Sequence, residues 1–330
     1  MTSKNDPRPM AGIHHVTAIA GDPRRNLDLY AGVLGLRLVK KTVNFDDPST
    51  YHLYYGDAEG SPGSIMTFFP WPGARRGRHG VGQTAATAFA VPVDSIGWWR
   101  DRLQASGIAS DESERFGGPL LTLRDADGLV LELVGSVTGD DPRPPWDRVV
   151  PSDHAIRGFD GVTLQEADEE PTAAALEVMG FRRLAEDGRR VRFVTGDGGS
   201  GARVDVLVTP DAARGLGGAG TVHHVAFRAV DDADQLAWRS RLARAMLQPT
   251  DVKDRNYFHS IYYREPGGVL FELATDPPGF TVDEPLDALG ETLRLPPWLE
   301  PARARIEAVL PPLGDLPAAP SEAEATGGGT

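Results

Sequence analysis

Near the start of the chain a short apolar run, Ile13-His14-His15-Val16-Thr17-Ala18-Ile19, precedes a segment from Asn26 to Leu34 whose apolar residues fall at helical spacing. Gly35 then stands where a helix C-cap glycine belongs, and three more strand-like runs follow, Leu36 to Asn44, Tyr51 to Tyr55 and Ser64 to Phe69. The predicted order is β, α, β, β, β. The same order returns from about Thr84 to Val137, with a strand Ala86 to Val91, a helix Ser95 to Ser106 and a last strand Leu129 to Val134. It returns once more from about Thr221 to Thr275, with a strand His223 to Ala229, a helix Ala233 to Ala245, and strands Ser260 to Arg264 and Val269 to Thr275. A fainter copy spans about Phe159 to Pro210, its helix Thr172 to Met179 stopped by Gly180.

Four units of roughly 55–70 residues each have the length of one supersecondary repeat. An Asp/Pro/Trp-rich stretch, residues 138–151, divides them, which predicts an N-terminal domain of two modules over 10–137 and a C-terminal domain of two modules over 152–280. Residues 281–330 form an extension whose Pro/Gly/Ala tail from about Leu310 reads as disordered. The fold class predicted is α+β. Gly215 to Gly220 leads into a strand, not a helix N-terminus, and therefore reads as a flexible connector with no role in cradling phosphate.

Composition narrows the chemistry. The formal net charge of −13 disfavours nucleic acid and anionic membranes as partners. With no cysteine in the chain, a metal site here must be built from nitrogen and oxygen donors. The polar segment Met1 to Met10 and the lack of a membrane-length apolar run predict a cytoplasmic protein.

Four of the eight histidines sit in two adjacent pairs, His14-His15 and His223-His224, each opening an equivalent strand. In a regular strand only one member of each pair can face a given side, and alternation alone does not say which. Glu272 lies inside the apolar run Val269 to Leu273, where a buried carboxylate costs several kcal/mol unless it is paired, protonated or metal-bound. Two imidazoles and one carboxylate on a sheet make the facial triad of non-haem iron(II) sites, with neighbouring positions left open. Glu132 occupies the echo of Glu272, but one mononuclear site needs one carboxylate, so it reads as a relic, a salt-bridge partner or an exposed strand residue. His52, His79, His154 and His259 lie in unmatched contexts and read as structural or solvent-facing. The stretch Asp254 to Arg264 offers Arg255 as a cation for a phenolate or carboxylate and Tyr262 as a hydroxyl donor, while Tyr257 and Phe258 read as packing residues.

These residues resemble the vicinal-oxygen-chelate superfamily, and within it the two-domain ring-cleaving dioxygenases that act on hydroquinones. The likeness is carried by Gly12-Ile13-His14-His15-Val16-Thr17, the Asn26 to Leu38 phrase, Tyr51-His52-Leu53-Tyr54-Tyr55, and Arg255-Asn256-Tyr257-Phe258 through Phe271-Glu272. It implies four βαβββ modules with curved mixed sheets. It also implies iron(II), with manganese(II) as the substitute, held by the second histidine of each pair: His15, His224 and Glu272. The same resemblance implies that His14, Thr17, His223, Arg255 and Tyr262 surround the substrate, with His223, Tyr262 and Arg255 serving the chemistry. A small aromatic diol, most simply a para-hydroquinone, and O2 would be the substrates, and a homo-oligomer is open. Three rivals stand beside this reading: catechol extradiol cleavage on the same triad, a glyoxalase-like isomerase or thiol transferase needing four protein ligands, and a metal-free small-molecule binding protein.

Overall fold

The computed structural model describes residues 7–136 and 145–316. Each of the four units is present. The first comprises β1 (Ile13–Ala20), a helix that begins as α1 (Pro23–Leu27) and ends in a π-helical turn (Asp28–Val33), then β2 (Arg37–Val43), β3 (Tyr51–Gly56) and β4 (Ile65–Pro70). The second comprises β5 (Gln83–Pro92), α2 (Ile96–Ala105), β6 (Ser110–Arg115), β7 (Gly118–Arg124) and β8 (Val130–Ser136). The third comprises β9 (Phe159–Glu166), α3 (Glu170–Val178), β10 (Arg182–Asp187), β11 (Arg190–Val194) and β12 (Arg203–Val208). The fourth comprises β13 (Thr221–Ala229), α4 (Asp232–Arg244), β14 (Lys253–Asp254), β15 (Phe258–Arg264) and β16 (Leu270–Pro278).

Local chemistry accounts for these elements. Asp231 caps α4 by accepting from the Asp234 backbone N–H, and Gln235, Trp238 and Leu242 form its buried face. Gly35 has a φ of +68°, and a Cβ there would meet the Val150 side chain, so glycine is required both for the turn and for the close approach.

The strands form two curled, mixed eight-stranded sheets. One runs β14-β15-β16-β13-β1-β4-β3-β2 and the other β10-β11-β12-β9-β5-β8-β7-β6. This corrects the grouping by sequence halves. The first module shares a sheet with the fourth, through antiparallel β1 and β13, and the second with the third, through antiparallel β5 and β9. All four modules offer the same unpaired edge on their first strand, so strand patterning cannot tell which two will join. The 138–151 stretch therefore links two modules of one sheet instead of dividing two domains; residues 138–144 of it lie outside the described residues. Phe89 on β5 and Phe159 on β9 stack at 5.3 Å within a continuous buried core that also takes Val16, Leu53, Phe227 and Phe271 from the other sheet.

Two further expectations need correction. The connector Gly215 to Gly220 is closely packed: it bridges to the segment carrying Arg76 and Arg78, and a Cβ at Gly218 or Gly220 would strike backbone of Arg75 or Asp127. Its glycines serve close backbone approach. The tail is ordered over residues 310–316, where Leu313 is buried, Arg24 donates to the carbonyls of Leu313 and Asp315, and Tyr51 donates to that of Pro311. Residues 317–330 lie outside the described residues. No described helix is long and apolar enough to cross a membrane.

Candidate metal centre

The sheet shared by the first and fourth modules curls around a cavity of about 400 Å³. His15 on β1, His224 on β13 and Glu272 on β16 meet in its wall. His15 Nε2 lies 3.2 Å from His224 Nε2 and 3.5 Å from Glu272 Oε2, and His224 Nε2 lies 2.9 Å from the same oxygen. Donors at about 2.1 Å from one ion are about 3 Å apart when adjacent and about 4 Å apart when opposed. All three pairs fall in the adjacent class, which leaves the other side of such an ion to the cavity.

The strand irregularities explain how both histidines of a pair come to touch. In the β1–β13 register, Ile13 opposes Phe227 but His15 opposes Ala226, and Thr17 opposes His224 but Ala18 opposes Val222. His14 and His223 are thus the extra residues of two bulges, one on each strand. Regular alternation is broken at the two places where the parity argument needed it. His14 Nδ1 lies 2.9 Å from His15 Nδ1, and His223 Nδ1 lies 2.8 Å from His224 Nδ1. If each second histidine donates through Nδ1 to its neighbour, its Nε2 lone pair is turned toward the common point.

Electrostatics suit a cation there. Burial alone would raise the pKa of Glu272, but the imidazoles of His15 and His224 hold it well below the usual carboxylate range. Burial holds His224 and, more strongly, His14 below the ordinary histidine value. A carboxylate and neutral imidazoles are the forms that ligate metals. Glu272 Oε1 accepts from Ser260 Oγ at 2.5 Å, whereas the buried Oε2 accepts no hydrogen bond of good geometry. Two imidazole lone pairs and an ionised oxygen aimed at one point repel one another unless a cation sits among them. The donor set therefore fits a metal ion.

Tyr262 and Arg255 reach the same cavity, Arg255 Nε donating to Tyr262 Oη at 3.2 Å and its guanidinium pairing with Asp46 at 3.0 Å. Burial and the Glu272 charge keep the Tyr262 hydroxyl protonated. His223 lines the cavity as well. His14 and Thr17 do not belong to the wall, contrary to expectation: the bulge leaves His14 behind His15, against Phe258, and the Thr17 hydroxyl is engaged by Thr67 at 2.9 Å. The sequence reading also missed His52, Tyr54, Phe69, Trp71 and Asp46, all on the wall. Only the same-face spacing of His52 and Tyr54 in β3 hinted at two of them. Phe258 packs as expected, 5.0 Å from the His15 ring, yet it lines the cavity too.

The remaining histidines are structural. His79 contacts the Gly128 carbonyl, His154 stacks on Trp98 and His259 pairs with Asp232.

Register reveals the internal symmetry of the centre. Ala226 pairs with Glu272 in the fourth module as Thr17 pairs with Thr67 in the first, so Thr67 stands where a second carboxylate would be. In the other sheet the matching pairs are Ala88 with Glu132 and Thr163 with Asp205, and the two histidine positions hold Ala86 and Gly161. Its concavity is filled by ion pairs instead. Arg115 clamps Glu132 with two bonds of 2.6 Å, and Arg192 clamps Asp205 at 2.8 and 2.9 Å. Glu132 is a salt-bridge partner.

A sequence profile shared by glyoxalases, bleomycin resistance proteins and dioxygenases matches residues 12–133 and 166–273. The chain belongs to the Glyoxalase/Bleomycin resistance protein/Dioxygenase superfamily. Within this superfamily it is 49% identical over 302 residues to MhqO of Bacillus subtilis (strain 168), classed by name as a ring-cleaving dioxygenase; the match covers 91% of this chain and 96% of that protein. It is 36% identical over 303 residues to the chlorohydroquinone/hydroquinone 1,2-dioxygenase of Sphingobium indicum, covering 89% and 94%. A crystal structure of a Bacillus subtilis protein of dioxygenase name superimposes with a TM-score of 0.89 at 48% identity, covering 93% of this chain and 98% of that one. Glyoxalase I of Zea mays shares the fold at a TM-score of 0.58 and 16% identity, covering 80% and 92%.

Proposed function

We propose that this chain is a metal-dependent ring-cleaving dioxygenase that opens a hydroquinone-type aromatic diol with O2, with His15, His224 and Glu272 holding iron(II), or manganese(II) in its stead. The observation that carries the reading is the convergence of three mutually adjacent donors, one of them an unsatisfied buried carboxylate oxygen, on the wall of an aromatic-lined cavity. Among the described residues the donor set is three, with Thr67 at the position matching Glu272. This favours a centre with open positions over a four-ligand isomerase centre.

A bound iron(II) would supply a template for the diol oxygen and O2 and a path for electron density from ring to O2. The side chains do the rest. Glu272, fixed by Ser260, supplies the one negative charge of the donor set. His223, whose Nδ1 accepts from His224 and whose Nε2 therefore carries the hydrogen, serves as a proton donor to the substrate, Tyr262 donates a hydrogen bond to an oxygen of the reacting pair, and Arg255 faces the second ring oxygen as a permanent cation. Phe69, Trp71 and Phe258 flank the ring and exclude water. Both atoms of O2 enter the product, so no external reductant is needed.

The test is anaerobic reconstitution with iron(II), followed by O2 uptake with hydroquinone and with catechol. Uptake with the para-diol supports the reading, uptake with catechol alone moves it to extradiol cleavage, and tight metal binding without any uptake overturns it. Arg255→Ala should keep its iron and lose affinity for the diol.

A further inference from the structure

A buried hydrogen-bond chain runs along the first module's half of the cavity. Thr17 Oγ1 lies 2.9 Å from Thr67 Oγ1, Thr67 Oγ1 lies 2.8 Å from His52 Nε2, and His52 Nδ1 lies 2.8 Å from the Tyr54 hydroxyl. Thr17 and Thr67 are fully buried, Tyr54 is 1% exposed and His52 9%. Among the described residues neither the Thr17 nor the Tyr54 hydroxyl has another hydrogen-bond partner.

Counting hydrogens fixes the direction of this chain. A neutral imidazole carries one N–H, so one ring nitrogen donates and the other accepts. If Tyr54 donated to His52 Nδ1, then His52 Nε2–H would donate to Thr67, Thr67 to Thr17, and the Thr17 hydrogen would be buried without an acceptor, at a cost of roughly 1–3 kcal/mol. In the opposite sense the hydrogens of Thr17, Thr67 and His52 are all used. Thr17 donates to Thr67, Thr67 to His52 Nε2, and His52 Nδ1–H to the Tyr54 oxygen. The only hydrogen left over is that of the Tyr54 hydroxyl, and Tyr54 lines the cavity.

Symmetry within the sheet gives that hydroxyl a role. Tyr54 pairs with Thr67 in the β3–β4 register as Tyr262 pairs with Glu272 in the β15–β16 register. His52 reaches Thr67 as Ser260 reaches Glu272. Tyr54 is thus the first module's counterpart of Tyr262, with Tyr262, Arg255 and Glu272 all within electrostatic reach of its hydroxyl. The first module has replaced the carboxylate with threonine and kept the phenol.

We infer that Tyr54 is a second phenolic hydrogen-bond donor into the cavity, directed at an oxygen of the bound diol, and that His52, Thr67 and Thr17 are positioning residues that fix its direction. The substrate part of the inference rests on the function proposed above; the direction of the chain does not. Selective ¹⁵N-histidine NMR of the metal-free protein, with His52→Gln to assign the signal, should find His52 as the Nδ1–H tautomer. The Nε2–H tautomer overturns the inference. Anaerobic titration of iron(II)-loaded protein with hydroquinone should then give about 3–10-fold weaker binding for Tyr54→Phe, the loss of one net hydrogen bond. Thr67→Val should lose about as much, Thr67→Ser should be restored, and Tyr54→Phe combined with Thr67→Val should be no worse than Tyr54→Phe alone. Wild-type protein that binds no diol overturns the proposed function, whereas wild-type binding with Tyr54→Phe unchanged overturns this inference alone.

Discussion

Removing one oxygen atom next to the metal centre should weaken metal binding without touching a ligand. Ser260 is fully buried and donates at 2.5 Å to Glu272 Oε1, the carboxylate oxygen turned away from the two imidazoles. A hydrogen bond to a charged group contributes roughly 1.5–3 kcal/mol. Ser260→Ala removes that bond, leaves Oε1 buried without a donor and frees the carboxylate to rotate. Because the ionised carboxylate in its present orientation is what a metal needs, most of the loss should appear in metal affinity. At about 1.4 kcal/mol per decade this is a decrease of about 10–150-fold, in the range seen when the partners of metal ligands are removed. The assay is chelator competition for iron(II) under anaerobic conditions, with circular dichroism to check the fold. An affinity within twofold of wild type, in a folded variant, would refute the claim that Ser260 orients Glu272 for a metal.

Three other outcomes follow from the same geometry. His224→Ala and Glu272→Ala should each remove stoichiometric metal and, with it, the stabilisation that saturating metal gives wild type, about 2.7 kcal/mol at a hundredfold excess over Kd; a metal-dependent rise in Tm in either variant would contradict the triad. Arg115→Met strands the buried Glu132 carboxylate and should destabilise by about 3–5 kcal/mol, most of it recovered in the double variant Arg115→Met/Glu132→Leu, as read by urea unfolding; an unaffected single variant would contradict the clamp. Burial and then the neighbouring Glu265 push Glu166 up to about 8, so the folded chain keeps a proton that an unfolded glutamate, ordinarily at 4.5, has lost. Stability should therefore fall as pH rises through that window, and Glu166→Gln should flatten the fall; equal slopes for both proteins would contradict it.

The three proposed metal ligands were legible because duplication makes them conspicuous. Two histidine pairs opening matched strands, with a glutamate inside an apolar run, narrow the search even though alternation does not choose within a pair. The choice is made by the bulges at His14 and His223, whose positions depend on how β1 pairs with β13, a contact between residues about two hundred positions apart. Module pairing was hidden for a related reason, since equivalent edges are interchangeable in sequence. His52 was set aside because no second histidine echoes it; its counterpart, Ser260, is chemically different and is recognisable only from the register. Thr17 was expected at the substrate but is not among the residues that line the cavity, its hydroxyl being paired with Thr67 across the adjacent strand. The order of Leu310 to Leu316 rests on tertiary packing of a composition that alone reads as tail.

The most direct test of the account is ¹⁸O2 labelling of a single turnover by the iron(II)-reconstituted protein with hydroquinone. One ring-opened product carrying both labelled atoms is expected, formed with equimolar O2 consumption and lost in Glu272→Ala. A product with no labelled atom, or an intact ring after O2 is consumed, would contradict it.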